Sequence, residues 1–344
     1  MRTLSRHQRD DGAVLVIVTV LMVALLGVGA MVIDLGAAYV EKRQLQNGAD
    51  AGALAVAQDC AQTANCGTNP GIAQNYANLN ANDGTSKVDV VCGKGPGLSP
   101  CTGPAPTAAA AATGWVRVST STRTPSGGNQ VDFVLGPVVG SVTGKTLHAS
   151  AAAAWGGMGS GDIMPLTFSV CEWIGMGGSL ATGTFPAGRF YIYFHGVGGK
   201  KETGVGSCTP SPSGQDLPGG FGYLASSSCV TSLVAGAWVG IEPGNSLPKG
   251  CNPAAWMNTE VLIAIFDQER GTGNNGEYHI AGFVGFQLLG YKFQGNKKSP
   301  SSFQCPLASG NSGVCLYGEF TRFTTDASSF GGTDYGARVV KMVG

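Results

Sequence analysis

Residues 13–33 read AVLVIVTVLMVALLGVGAMVI, an apolar stretch without a charge, in which Thr19 is the polar residue. At 1.5 Å per residue, a helix of that length reaches about 31 Å, enough to cross the hydrocarbon core of a bilayer. The apolar core of a cleaved signal peptide runs to only about 7–15 residues, so a retained signal-anchor is predicted. Beyond it the pattern changes but does not break. Ala38, Leu45, Ala49, Gly52 and Val56 recur at helical spacing on one side, while Arg43, Asn47 and Asp50 group on another. No proline interrupts, and the helix is predicted to continue to about Gln58. The pairs Gly48/Gly52 and Ala49/Ala53 leave room for another backbone to approach. The stripe is therefore expected to meet partner helices, with packing on the chain's own domain as the alternative.

Residues 59–114 show no clear period and look loosely organised. Alternation then predicts strands. Val88 and Val90 alternate with Lys87 and Asp89, Val116 and Val118 with Trp115, Arg117 and Ser119, and Val131, Phe133 and Leu135 follow a Ser-Gly-Gly-Asn turn. A further strand of small residues covers 146–154. The glycine-rich run 156–161 has the composition of a linker. From about Met164 a second strand-rich region begins, with strands at 190–194, 261–266, 280–291, 316–323 and 337–342. The run 261–266 is apolar on both faces and belongs in the middle of a sheet. Glycines within the other strands predict bulges or close packing.

The expected architecture is a membrane-anchored α+β chain. Residues 1–12 form a cytoplasmic tail, 13–33 the transmembrane helix continuing to about 58, and 59–155 a pilin-like β region. A linker at 156–163 then leads to a Gly/Cys-rich β domain at 164–344. The pilin-like label is analogy at the level of fold.

Charge and cysteine give the direction. Lys plus Arg and Asp plus Glu both number 21, and no basic run occurs, which removes the electrostatic footprint of a nucleic-acid binder. All 10 cysteines lie after the apolar span, where an oxidising exterior lets them pair. Arg2, Arg6 and Arg9 before the span face Lys42 and Arg43 after it, a faint positive-inside bias of the same sense. Both cues predict the N-terminus inside and the bulk of the chain outside. Asp34 is expensive at mid-bilayer and marks the outer interface. Cys60 with Cys66, Cys92 with Cys101 and Cys305 with Cys315 are the expected local disulfides. Cys171, Cys208, Cys229 and Cys251 are left with three possible pairings.

Motifs for chemistry are sparse. No G-x-S-x-G or C-x-x-C occurs, and residues 196–201 (GVGGKK) lack the Ser or Thr of a phosphate loop. His195 follows an aromatic run, and Glu172, Asp267 or Glu269 could orient it as in a triad; a strand-end histidine bonded to backbone is the favoured reading. Asp267, Glu269 and Glu277 around the 271–276 turn offer oxygen ligands for calcium without EF-hand spacing, and an ordinary polar turn explains them better. No catalytic residue, cofactor or metal is expected.

The N-terminal stretch resembles TadG-like proteins of the Flp (tight-adherence) pilus-assembly system. The residues that carry the resemblance are Gly12-Ala13, the apolar span, Asp34-Leu35-Gly36, Tyr39, Leu45-Gln46-Asn47, Asp50-Ala51 and Ala53-Leu54. Two departures stand out. Larger members carry a von Willebrand A-type domain whose metal site begins D-x-S-x-S, and the nearest string here, Asp326-Ala327-Ser328-Ser329-Phe330, lacks the last Ser. Gly12 follows a charged leader as in type IV prepilins, but Ile17 stands where those carry Glu, so cleavage there needs a relaxed rule. The resemblance implies a non-enzymatic accessory or minor component of pilus assembly. Its partners would be the lipid bilayer and platform or pilin-like subunits, reached through the helix. A surface-binding module or adhesin, and a remote anchored hydrolase using His195, are the rival expectations.

Overall fold

The computed structural model describes residues 11–63, 65–66, 69–134, 136–139, 141–181, 183–194, 222–242, 247–248, 250–271, 273–295, 297–306 and 314–344. Two helices come first, α1 (Asp11–Thr63) and α2 (Asn69–Leu79), followed by strands β1 (Lys87–Lys94), β2 (Gly114–Ser121) and β3 (His148–Gly157). Next are β4 (Thr167–Ser169), the short helix α3 (Val170–Gly175) and β5 (Arg189–Phe194). The chain ends with β6 (Glu260–Arg270), β7 (Glu277–Lys292), β8 (Val314–Thr321), β9 (Phe323–Thr325) and β10 (Ala337–Met342). A long apolar N-terminal helix followed by a β-rich, disulfide-bonded region is the α+β class the sequence predicts.

Two compact units divide the described residues. The first lies within Met1–Ala55, Thr68–Val91 and Arg117–Ala151. Here α2 lies along α1. A side chain at Gly48 would meet the backbone of Ala77 at 3.2 Å, and one at Gly52 would meet that of Ala73 at 3.4 Å. Polar ties fix the register: the Asn82 amide donates to Gln44 Oε1 at 2.8 Å, and the Thr120 hydroxyl to the Leu45 carbonyl at 2.9 Å. Gln74 bridges α2 to the start of β1, donating to the Ser86 carbonyl at 2.8 Å and accepting from the Val88 amide at 3.0 Å. Within 59–114, read as loosely organised, the structure therefore has a helix. Its sequence signal is Asn69-Pro70, a helix-starting residue followed by a proline tolerated in the first turn.

The second unit covers Val56–Gly67, Cys92–Val116 and Ala152–Gly344. Its main sheet follows the path β4-β6-β7-β8-β5, and short strands Trp238–Gly240, Lys298–Ser299 and Thr333–Asp334 add to β7. All steps on the path are antiparallel except β4 with β6. Both faces are covered, because side chains alternate along a strand. Ile263 and Ile265 point into one core with Phe168, Phe286 and Leu316, whereas Ala264 and Phe266 join a second with Ile280 and Phe283. That explains why 261–266 is apolar at every position.

A second sheet has the order β1-β2-β3-β10-β9. Residues 156–161 correct the linker expectation: Gly156 and Gly157 end β3, and Met158 is 2% exposed. Glycine is required there by close packing, since a Cβ on Gly157 would fall on the Gly332 carbonyl oxygen.

Four disulfides are described: Cys60–Cys66, Cys92–Cys101, Cys229–Cys251 and Cys305–Cys315. The three expected local pairs are among them. Cys229–Cys251 narrows the open pairings, and Cys171 is also disulfide-bonded, while Cys208 lies outside the described residues. The Cys60–Cys66 link joins the last turn of α1 to the segment after it. Replacing both with alanine is expected to cost about 2 kcal/mol for so short a loop, read as a lower urea midpoint of the purified chain.

Candidate functional site

The helix α1 is the candidate interface. From Val14 to Val40 its large apolar side chains stand in the open, among them Leu25 and Leu26, each 70% exposed. The helix is long and apolar enough to cross a membrane, with mean hydropathy 2.9 in its most apolar window. Thr19 donates its hydroxyl back to the Leu15 carbonyl at 2.7 Å, so this polar side chain is satisfied within the helix. Asp34 is 8% exposed, and its carboxylate accepts the Val134 amide at 2.9 Å. A carboxylate holding a backbone amide of the first unit where the helix leaves its apolar run suits an interface position better than mid-bilayer.

The sequence-predicted stripe lies farther along. Ala38 is half-buried, Leu45 is 2% exposed, and Ala49 and Val56 are fully buried. Gly52 faces Ala73 of α2 and Val118 of β2. The stripe expected to meet partner helices is thus occupied within the first unit at Gly52, where α2 fills the space that small residues open. On the neighbouring surface the Lys42 ammonium donates to the His148 carbonyl, and the Arg43 guanidinium sits over the Tyr39 ring at 4.5 Å. Burial, and then the charge of Asp83, push the Glu41 carboxyl above the usual range, against a bond from Thr122.

The acidic and histidine candidates of the second unit separate into local pairs. His195 lies outside the described residues. Glu172 closes a capping box with Ser169 at the start of α3, accepting the Ser169 amide at 2.8 Å. Asp267 meets His279 instead, with Oδ1 at 2.6 Å from Nδ1. Two bulges make that contact: Ile265 pairs with Gly282, Phe266 with Ile280, and Gln268 with His279, so Ala281 and Asp267 are the extra residues. Trp238 packs on His279 with centroids 5.3 Å apart. Glu277 pairs with Arg270 at 2.5 Å across the turn at 271–276. Among the described residues no group of three or more His, Cys, Asp or Glu side chains is placed to hold a metal. The Ser328 hydroxyl of the Asp326–Phe330 string donates to the Ser160 carbonyl at 2.6 Å.

Residues 12–59 match the family described as putative Flp pilus-assembly TadE/G-like. This segment is TadE/G-like. The match takes in the apolar span, Asp34-Leu35-Gly36 and the whole of the stripe, and it ends at residue 59, inside α1. It relates the chain to Flp pilus assembly and leaves the β-rich second unit, apart from its first helical turn, outside the match. No curated protein and no solved structure matches the chain. Sequence reasoning missed two parts of the structure around this TadE/G-like segment: the covering helix α2, and an arginine, Arg338, at the end of α1. The Arg338 guanidinium donates to the carbonyls of Cys60 and Ala61. No spacing rule links positions 278 residues apart.

Proposed function

We propose that the chain is a non-enzymatic accessory or minor component of Flp pilus assembly, anchored in the bacterial cytoplasmic membrane with its N-terminus inside. The observation that carries this reading is the TadE/G-like match over a helix whose apolar residues are open from Val14 to Val40. The disulfides, all beyond the span, support the outward placement of the bulk. With α2 packed against the stripe at Gly52, we assign contact with platform or pilin-like subunits to the membrane-embedded part of α1. Packing there depends on side-chain shape, because lipid tails are as apolar as the helix. The second unit is then the exposed β domain that the anchor presents.

Purification of the tagged full chain from native membranes in mild detergent tests this. Platform proteins or pilin-like subunits are expected among its companions. A variant with residues 14–33 replaced by polyleucine should stay in the membrane and lose them. A wild-type preparation that brings down no pilus component overturns the proposal.

A further inference from the structure

A cleft of about 400 Å³ opens within the second unit, in the size range of small-molecule sites. Trp155, Trp173, Phe185 and Tyr335 give it aromatic walls, and Arg322, Asp334 and Arg338 supply its charge. The three charged groups are not equivalent. The Asp334 carboxylate is taken by Arg338 Nε at 2.8 and 2.9 Å and by the Gly336 amide at 3.2 Å. Arg338 also donates from Nη1 to the Cys60 and Ala61 carbonyls. Arg322 makes no hydrogen bond or ion pair with any described residue, and its guanidinium lies over the Phe185 ring at 4.7 Å. Burial first, and then the Arg338 charge, hold its pKa below the usual arginine value, against the opposing charge of Asp334. The wall holds a second unused donor: the indole N–H of Trp173 is buried without an acceptor.

We infer that this cleft binds a small ring compound bearing one carboxylate, with the carboxylate on Arg322 and the ring against the aromatic wall. A planar guanidinium held on a ring face presents two parallel N–H groups, the geometry that suits a carboxylate. One uncompensated positive charge matches a monoanion better than a phosphate dianion. The aromatic lining rewards an organic body that a bare inorganic ion lacks. Two sources offer this chemistry, the uronic acid of an acidic saccharide and an aromatic acid. The inference does not rest on the pilus reading, and its test involves no pilus protein.

The test is titration of the full chain in detergent with D-glucuronate and with benzoate, followed by calorimetry and by the fluorescence of Trp155 and Trp173. D-glucose and inorganic phosphate serve as controls. At least one carboxylate is expected to bind, glucose and phosphate at least tenfold more weakly, and the tighter carboxylate names the source. R322Q should weaken that carboxylate by about 10- to 100-fold, the loss typical of a charge-assisted hydrogen bond. Failure of both carboxylates, equal binding of phosphate, or undiminished binding by folded R322Q overturns the proposal. Should R322Q fail to fold, the wild-type contrast of the tighter carboxylate with glucose and phosphate decides alone: equal affinity, or no binding of either carboxylate, counts against the site.

Discussion

Leucine at both Gly48 and Gly52 is expected to destabilise the first unit by about 3 kcal/mol or more, through overpacking at two adjacent turns. Even a single Cβ at Gly48 would lie 3.2 Å from the Ala77 Cα and 3.3 Å from its carbonyl oxygen, both backbone atoms that cannot rotate away. At Gly52 the same carbon would meet the Ala73 backbone and the Val118 side chain, at 3.4 and 3.5 Å. A leucine adds three further carbons beyond Cβ at each position, so α2 must shift off α1 or unfold. The measurement is thermal and urea unfolding of the full chain in detergent, followed by circular dichroism, with limited proteolysis after Leu79 as a local report. Loss of α2 protection with the membrane anchor intact is the expected pattern. An unchanged melting curve would mean that α2 does not cover the stripe, and the partner-helix reading would return.

The same residues illustrate what was legible in the sequence. Periodicity located the stripe Leu45, Ala49, Gly52 and Val56 because burial on a helix leaves a 3.6-residue signature whatever does the burying. It carried no information on the identity of the cover, and Ala73 and Ala77 of α2 are too small and too weakly patterned to announce themselves. Strands were legible where one or both faces are apolar: 261–266 lies in β6, and 337–342 coincides with β10. The cysteine spacings were informative because short loops favour local closure, as Cys60–Cys66, Cys92–Cys101 and Cys305–Cys315 show. The glycine run at 156–161 misled because one composition serves two purposes, freedom in a linker and close approach in a packed strand; only the neighbour Gly332 decides between them. The His279–Asp267 pair was invisible for a related reason. It depends on two bulges in facing strands, and a one-residue slip leaves no mark in a hydrophobic pattern.

Long-range polar contacts are the hardest to read, and Arg338 gives the second large effect. Arg338→Met is expected to cost about 3–5 kcal/mol, the range for breaking a buried ion pair by removal of one partner. The Arg338 and Asp334 side chains are 11% and 16% exposed, so little water can replace the lost bonds. Two penalties combine. The Asp334 carboxylate keeps the Gly336 amide but loses its counter-charge, and the carbonyls of Cys60 and Ala61 lose their donor in the last turn of α1. Both carbonyls lie in the last turn of α1, where a cation is also favoured by the helix dipole. Asp334→Asn in the Arg338→Met background removes the orphaned charge but cannot restore the cap. The double variant should therefore recover part of the stability and stop short of wild type, as read from urea midpoints of the full chain. Full recovery would assign the whole effect to the ion pair and none to the end of α1. No recovery would place it in the cap, making Arg338 chiefly the residue that closes the helix.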